Sequence, residues 1–298
     1  MSRPAAYVAA ALLLAAGLVL ATQLAGTRGT IRVQATTTTS LYATGLLDEL
    51  ARAFQAKHPG VRIEFIPVGS GEALRRAADG EACMVFVHAP SLEKRYLEAG
   101  VLGGHRFIAY NFFAVVGPRS DPAGVREAGS AVDAFRRIYA AGEKGEARFV
   151  SRGDRSGTNV REMALWRLAG LDPRGKKWYI VSGQGMAKTL VMADELGAYT
   201  LSDTGTFLKL SLDGRIPGLA LLYTNSSDLM NVYSVYLVKG CRGEEAKYAR
   251  MFADFVAGPE GQRIIAGYGA DRYGRPLFYP AAGHEEMLRE AWSRLAEG

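Results

Sequence analysis

Strand-like and helix-like patterns alternate along most of the chain, and three of the strand-to-helix junctions are crowded with hydroxyl and glycine residues. That order points to an α/β architecture, in which a parallel sheet is flanked by helices. Residues 31–35 read as a short strand. Leu47, Leu50, Ala51 and Phe54 then recur at helical spacing up to the stop His58-Pro59-Gly60. Val61, Ile63 and Phe65 alternate with Arg62 and Glu64 as a half-buried strand does. A helix over 72–79, a buried strand over 83–87, a helix over 91–99 capped by Ser91 and an extended segment over 106–116 complete a first unit. A polar stretch at 121–129 precedes a second unit. It has strands near 149–150, 179–181, 199–201 and 219–223, with helices over 157–168 and 186–196. A strand over 233–238 and a helix over 248–255 follow.

Composition removes several function classes. Hydrophobic residues make up 48% and charged residues 22% of the 298, which is ordinary for a globular chain. The net charge of +6 comes from scattered arginines whose longest runs are pairs such as Arg75-Arg76, so no stripe for tracking nucleic acid is expected. Two cysteines, Cys83 and Cys241, are too few for a disulfide scaffold or a cysteine-based zinc module, and their own state stays open. The four histidines form no close pair, so no metal site is expected. Between Arg3 and Arg28 no charged residue occurs, and residues 5–21 are nearly all apolar. Residues 1–28 therefore read as a signal peptide or a retained membrane anchor. Thr27 stands where a lipoprotein would need Cys. The rest of the chain is expected to work outside the cytoplasm.

The junctions carry the chemistry. They are Thr37-Thr38-Thr39-Ser40, Gly69-Ser70-Gly71 and the segment 151–158, Ser-Arg-Gly-Asp-Arg-Ser-Gly-Thr. In a parallel sheet such turns lie at the carboxyl ends of strands, where open α/β folds bind ligands. Helix N-termini offer unpaired N–H groups and a partial positive charge, Ser and Thr add neutral donors, and Arg152 adds one planar cation. A lone Ser at a helix start, Ser70 included, is ordinarily an N-cap, and a threonine run also suits a polar edge strand. Four threonines and a serine from Thr36 to Ser40 exceed what one cap needs. Other motifs are weaker. Residues 183–189 end like a P-loop, but Ala187 stands where Gly is required. No Gly-x-Ser-x-Gly elbow occurs, and Asp203 and Glu195 suit capping or surface duty better than acid–base work.

At these residues the chain resembles the tungstate-binding proteins of ABC transporters. Thr37-Thr38-Thr39-Ser40 with Thr44-Gly45-Leu46-Leu47-Asp48 is similar to that family's TTTS…SGLLD start. Residues 68–74, 110–118 and 151–158 match its VGTGxAL, YNDFVIVGP and SRGDxSGT, followed by Glu162 and Leu165-Trp166. Gly183-Gln184-Gly185-Met186, Tyr199-Thr200-Leu201 and Asn231-x-Tyr233 also fit. The resemblance covers most of the chain beyond the leader. It implies a two-lobed, periplasmic-binding-protein-like (type II) fold, each lobe a mainly parallel sheet, with the ligand in the interlobe cleft. Lobe 1 would hold 30–112 plus 232–298 and lobe 2 would hold 113–231. Thr38, Thr39, Ser40 and Ser70 would bind an oxyanion from one lobe, and Arg152, Ser156, Gly157 and Thr158 from the other. The implied protein is a monomeric solute-binding protein and not an enzyme. It needs no cofactor, and it passes tungstate or molybdate to a membrane permease. Two departures stand out: the family often has Asp where Cys83 and Phe112 stand. In phosphate-binding relatives an Asp near the Cys83 position accepts the proton of hydrogen phosphate, so its loss disfavours phosphate. The rival readings are a sulfate- or phosphate-binding protein, an exported α/β hydrolase of phosphate or sulfate esters with Ser40 or Ser70 as nucleophile, and an envelope-attached structural protein.

Overall fold

The computed structural model describes residues 30–224 and 226–297; the apolar leader lies outside them. In chain order the strands are β1 (Ile31–Thr38), β2 (Val61–Val68), β3 (Met84–Val87), β4 (Leu102–Pro118), β5 (Phe149–Ser151), β6 (Tyr179–Val181), β7 (Thr200–Asp203), β8 (Leu219–Tyr223), β9 (Met230–Val238) and β10 (Tyr279–Pro280). The helices are α1 (Thr39–Thr44), α2 (Leu46–Lys57), α3 (Ser70–Ala78), α4 (Pro90–Glu98), α5 (Ala131–Glu143), α6 (Gly157–Leu168), α7 (Met186–Glu195), α8 (Thr204–Leu212), α9 (Gly243–Ala257), α10 (Pro259–Gly267), α11 (Ala270–Tyr273) and α12 (Glu285–Glu297).

Two sheets share one long strand. In the first, β1 lies between β2 and β3 and runs parallel to both, with Thr38 opposite Val68 and Thr37 opposite Phe86. β9 pairs antiparallel with β3 and with the first part of β4. In the second, the last part of β4 pairs antiparallel with β7 and β8. β5 is parallel to β6 and bridges to Tyr199 beside β7. The sheets are mixed, not mainly parallel as expected: β1, β2 and β3 run parallel, β9 and β10 run antiparallel to the strands they pair with, and β4, the crossover strand, runs antiparallel to β7 and β8. The crossover pairs Asn111 with Asn231.

Each sheet is covered on both faces. Leu50, Phe54 and Phe86 pack with Phe252 on one face of the first sheet, while Leu74, Val85 and Tyr236 fill the other. Phe135, Phe149, Trp166 and Tyr199 form one core of the second sheet, and Leu190, Phe207 and Leu210 the other. Two buried layers per sheet are what near-continuous apolar strands such as Met84–Val87 require.

Several local expectations need correction. The threonine run is no edge strand, because β1 is central and continues through Thr38. Ser91 does not cap α4; Pro90 opens that helix, and the Glu93 carboxylate accepts the Ala89 N–H at 2.6 Å. Cys83 and Cys241 form a disulfide across 158 residues of chain. Among the described residues no helix is long and apolar enough to cross a membrane.

Candidate functional site

The three junctions converge where the sheets meet. At the end of β1, Thr36 Oγ1 donates to the Ala73 carbonyl (2.9 Å), which ties the strand to α3. Thr38 caps α1 by accepting the Leu41 N–H (3.3 Å) and lies 3.4 Å from Ser40 Oγ. At the end of β2, Gly69 is the cap position and Ser70 the first helical residue. The Ser70 hydroxyl is not used for capping: it accepts the Gly157 N–H of the opposite lobe at 3.0 Å. At the end of β5 the chain turns sharply through Gly153 (φ 63°) and Arg155 (φ 55°) before Ser156 caps α6 by accepting the Asn159 N–H. A side chain at Gly153 would strike Val181, so both conformation and space demand glycine there.

The electrostatics of this cleft are unusual. The Arg152 side chain is 1% exposed. One terminal nitrogen donates to Asp154 Oδ2 (2.6 Å) and, across the cleft, to Thr39 Oγ1 (3.2 Å). Among the described residues its Nε and its other terminal nitrogen are buried without a partner, as are the hydroxyls of Thr158 and Thr37. Buried donors are nearly always paired, because an orphan costs about 1–3 kcal/mol. No acidic residue occupies the first turn of α6. The cleft therefore presents surplus N–H and O–H donors and one cation to a small anionic guest. Beside Thr39, the Gly183-Gln184-Gly185 turn that opens α7 lines a cavity of about 560 Å³ with Ser40, Met186 and Thr206.

A buried support fixes the turn. Glu162 accepts from Ser151 Oγ (2.7 Å), Tyr179 OH (2.6 Å) and Trp166 Nε1 (3.2 Å). Burial raises its carboxyl above the usual range, against the pull of those donors. Asp203 caps α8 through the Thr206 N–H and hydroxyl, both at 2.8 Å, and burial raises it too. Glu195 is exposed and stands apart.

Sequence reasoning missed His88. It follows β3 directly, and no spacing with another histidine marked it. Its ring is stacked on Tyr233 with centroids 4.8 Å apart. Nε2 lies 3.2 Å from Ser40 Oγ and Nδ1 2.8 Å from the Asn231 amide. A side chain at Gly157 would come within 2.6 Å of the His88 carbonyl, so glycine lets the two lobes touch here. Burial drops the His88 pKa to about 4; the Asn231 bond opposes that shift, and Arg152 adds to it.

All eight expected site residues lie at these junctions, but not in one role. Thr38 and Ser156 also cap helices, and Ser70 holds the opposite lobe. The expectation built on Cys83 fails. Its N–H bonds Gln34, well back along β1, and its sulfur is bonded to Cys241, so it stands several residues from the cleft end of β3. An acceptor is present instead in Asp154, whose oxygens take Arg152 and the Ser156 N–H. Phe112 packs against Tyr110 and Tyr279 beside the crossover.

Comparison with known proteins bears on the family and the fold. Residues 21–260 match the model of the PBP superfamily domain. A protein of Haloferax volcanii, whose name gives an anion-binding component of an ABC transporter, is 43% identical over 250 residues, covering 83% of this chain and 71% of the relative. The tungstate-binding protein TupA of Peptoclostridium acidaminophilum is 36% identical, covering 83% and 84%. The crystal structure of the tungstate ABC transporter protein from Geobacter sulfurreducens superposes with a TM-score of 0.70 at 39% identity, covering 81% of this chain and all of that one. The family model and these relatives agree: the chain belongs to the PBP superfamily, in the family of these binding proteins.

Proposed function

We propose that the protein is an extracytoplasmic solute-binding protein that captures a fully deprotonated tetrahedral oxyanion, tungstate or molybdate, for delivery to an ABC-transporter permease. The observation that carries this reading is Arg152, a buried guanidinium with two nitrogens lacking partners beside the unpartnered Thr158 hydroxyl. Such donors lose little on binding an anion, since water has already been excluded from them. Thr38, Thr39, Ser40 and Ser70 line one wall; Arg152, Ser156, Gly157 and Thr158 line the other. The lobes, 30–112 with 232–298 against 113–231, close about the strands that pair Asn111 with Asn231. The apolar leader fits export. Tungstate is favoured by the names of the relatives; the donors alone serve molybdate as well.

One contact speaks for the hydrolase reading. Ser40, His88 and Asn231 form a chain of 3.2 and 2.8 Å, the spacing of a nucleophile, a base and its orienting group. Calorimetric titration with tungstate, molybdate, sulfate and phosphate, alongside a generic phosphate ester, separates the readings. The proposal requires tight tungstate or molybdate binding and no ester turnover. Tight phosphate binding without either, or turnover lost in Ser40→Ala, overturns it.

A further inference from the structure

Buried hydrogen-bond accounting around His88 leads to a positioning role. With Asn231 turning Oδ1 to His88 Nδ1, its Nδ2 faces Asn111 Oδ1 (2.9 Å) and Tyr233 OH (2.8 Å). Asn111 Nδ2 is then buried with no partner. The two ends of an amide have nearly the same shape, so the network decides which end points where. Turning both amides over leaves the heavy-atom distances nearly unchanged and removes that orphan donor. Asn111 Nδ2 and Tyr233 OH then donate to Asn231 Oδ1, and Asn231 Nδ2 donates to His88 Nδ1. What stays unpartnered is the Asn111 carbonyl oxygen, which proteins tolerate better than an orphan N–H, and one of the two N–H groups on each amide, where Asn111 had left both of its own unused. A neutral ring that accepts at Nδ1 carries its one proton on Nε2, and the atom 3.2 Å from Nε2 is Ser40 Oγ.

We infer that His88 is a positioning residue that donates its Nε2 proton to Ser40 and thereby turns the Ser40 hydroxyl proton toward the bound oxyanion. The ring is suited to this work. It is clamped between Tyr233 and Gly157, and burial keeps it neutral, so it neither flips nor adds a second cation. The same tautomer disarms the Ser40–His88 pair as a nucleophile and base, because Nε2 has no lone pair to take the serine proton. Asn231 supplies no charge to stabilise an imidazolium. The role rests on the oxyanion-binding reading, and its test separates the two.

The direct test is the ¹⁵N spectrum of the His88 ring in the full chain, with and without tungstate. The expected result is a proton on Nε2 in both. A proton on Nδ1 in the tungstate-loaded protein overturns the inference. Binding supplies a second readout. His88→Phe keeps the ring but has no donor, so it should weaken tungstate binding about tenfold or more, as Ser40→Ala does, and the double variant should be no weaker than either. His88→Gln can place its amide nitrogen near Nε2 and should stay within about threefold of the parent. Additive losses from Ser40→Ala and His88→Phe refute the coupling. Absence of any oxyanion heat in the parent refutes the proposed function, while the ligand-free ¹⁵N spectrum still decides the tautomer.

Discussion

Replacing Arg152 with Met tests the centre of the proposal. Met nearly fills the space of the arginine stem but offers no donor and no charge. Two guanidinium nitrogens now await partners, and charge-assisted hydrogen bonds contribute about 1.5–3 kcal/mol each. Losing both amounts to roughly 3–6 kcal/mol, or about two to four orders of magnitude in the dissociation constant. The ligand-free fold should change little. The substitution removes two orphan donors, and the carboxylate it abandons, Asp154, is 21% exposed and can be reached by water. Calorimetry should therefore find tungstate binding nearly abolished. The melting temperature without ligand should stay close to the parent's, and the tungstate-induced rise should disappear. Arg152→Lys should fall between, since a point charge cannot reproduce the planar fork. An Arg152→Met dissociation constant within about threefold of the parent would show that the anion lies elsewhere, because even one lost bond costs more.

Three further outcomes follow. Gly157→Ala places a Cβ 2.6 Å from the His88 carbonyl of the facing lobe; it should prop the lobes apart and weaken binding by about tenfold or more, while circular dichroism stays unchanged. Parent affinity in that variant would deny that the lobes close to this distance around the anion. Cys83→Ser opens a loop of 158 residues, and chain entropy sets an upper limit of about 5 kcal/mol on the lost stability. Melting should drop, and tungstate affinity should not, because the disulfide lies away from the cleft; a matching loss of affinity would contradict that separation. Acidification tests His88: its folded pKa of about 4 lies below the ordinary 6.5. The unfolded chain therefore binds a proton first, so its contribution is complete above pH 6.5 and falls by roughly 3 kcal/mol toward pH 4. His105, also lowered to about 4 by burial, adds to the same slope. His88→Gln should flatten the dependence, and an unchanged slope would place the effect elsewhere.

Much of the site was legible because it is local. Helix 157–168 and strands 179–181 and 219–223 agree with their sequence patterns residue for residue, and the three junctions lie where alternation ends. Two things were not legible. Helices α5, α8, α10, α11 and α12 were not read from the sequence, because no motif flags them and the packing that holds them comes from other segments, as Trp166 does for Phe135 and the cluster of Val232 does for Leu288. The role of Ser70 was also hidden, since a serine at a helix start looks like a cap, and only the opposite lobe reveals that its acceptor serves Gly157. His88 combines both difficulties: its partners Ser40, on α1, and Asn231 and Tyr233, on β9, come from two distant segments. The inference from Cys83 was misplaced because a strand residue was aligned without knowing which end of β3 faces the cleft.

The same donors explain why closure should depend on the guest. Among the described residues, contacts between the lobes include Ser70 with Gly157, Gly71 N–H with the Arg155 carbonyl at 3.4 Å, Arg152 with Thr39, Lys209 with the Ala43 carbonyl at 2.9 Å, Arg272 with Asp213 at 2.7 Å and Arg294 with the Ser227 carbonyl at 3.0 Å. The neutral bonds among them contribute about 0.5–1.5 kcal/mol each after water is displaced, and those with a charged group up to about 3 kcal/mol where they are buried and less where they are exposed. Against them stand the buried nitrogens of Arg152 and the hydroxyl of Thr158, each costing about 1–3 kcal/mol when closure excludes water without offering a partner. The opposing cost cancels part of what the contacts contribute, so closure without a guest gains less than closure around one. An oxyanion removes only the opposing side, turning each orphan into a charge-assisted bond, and a ligand shifts such an equilibrium by its differential affinity for the two forms. A permease that recognises the closed shape would then be presented chiefly with loaded protein, and the unsatisfied state of Arg152 is the physical reason the signal can be read.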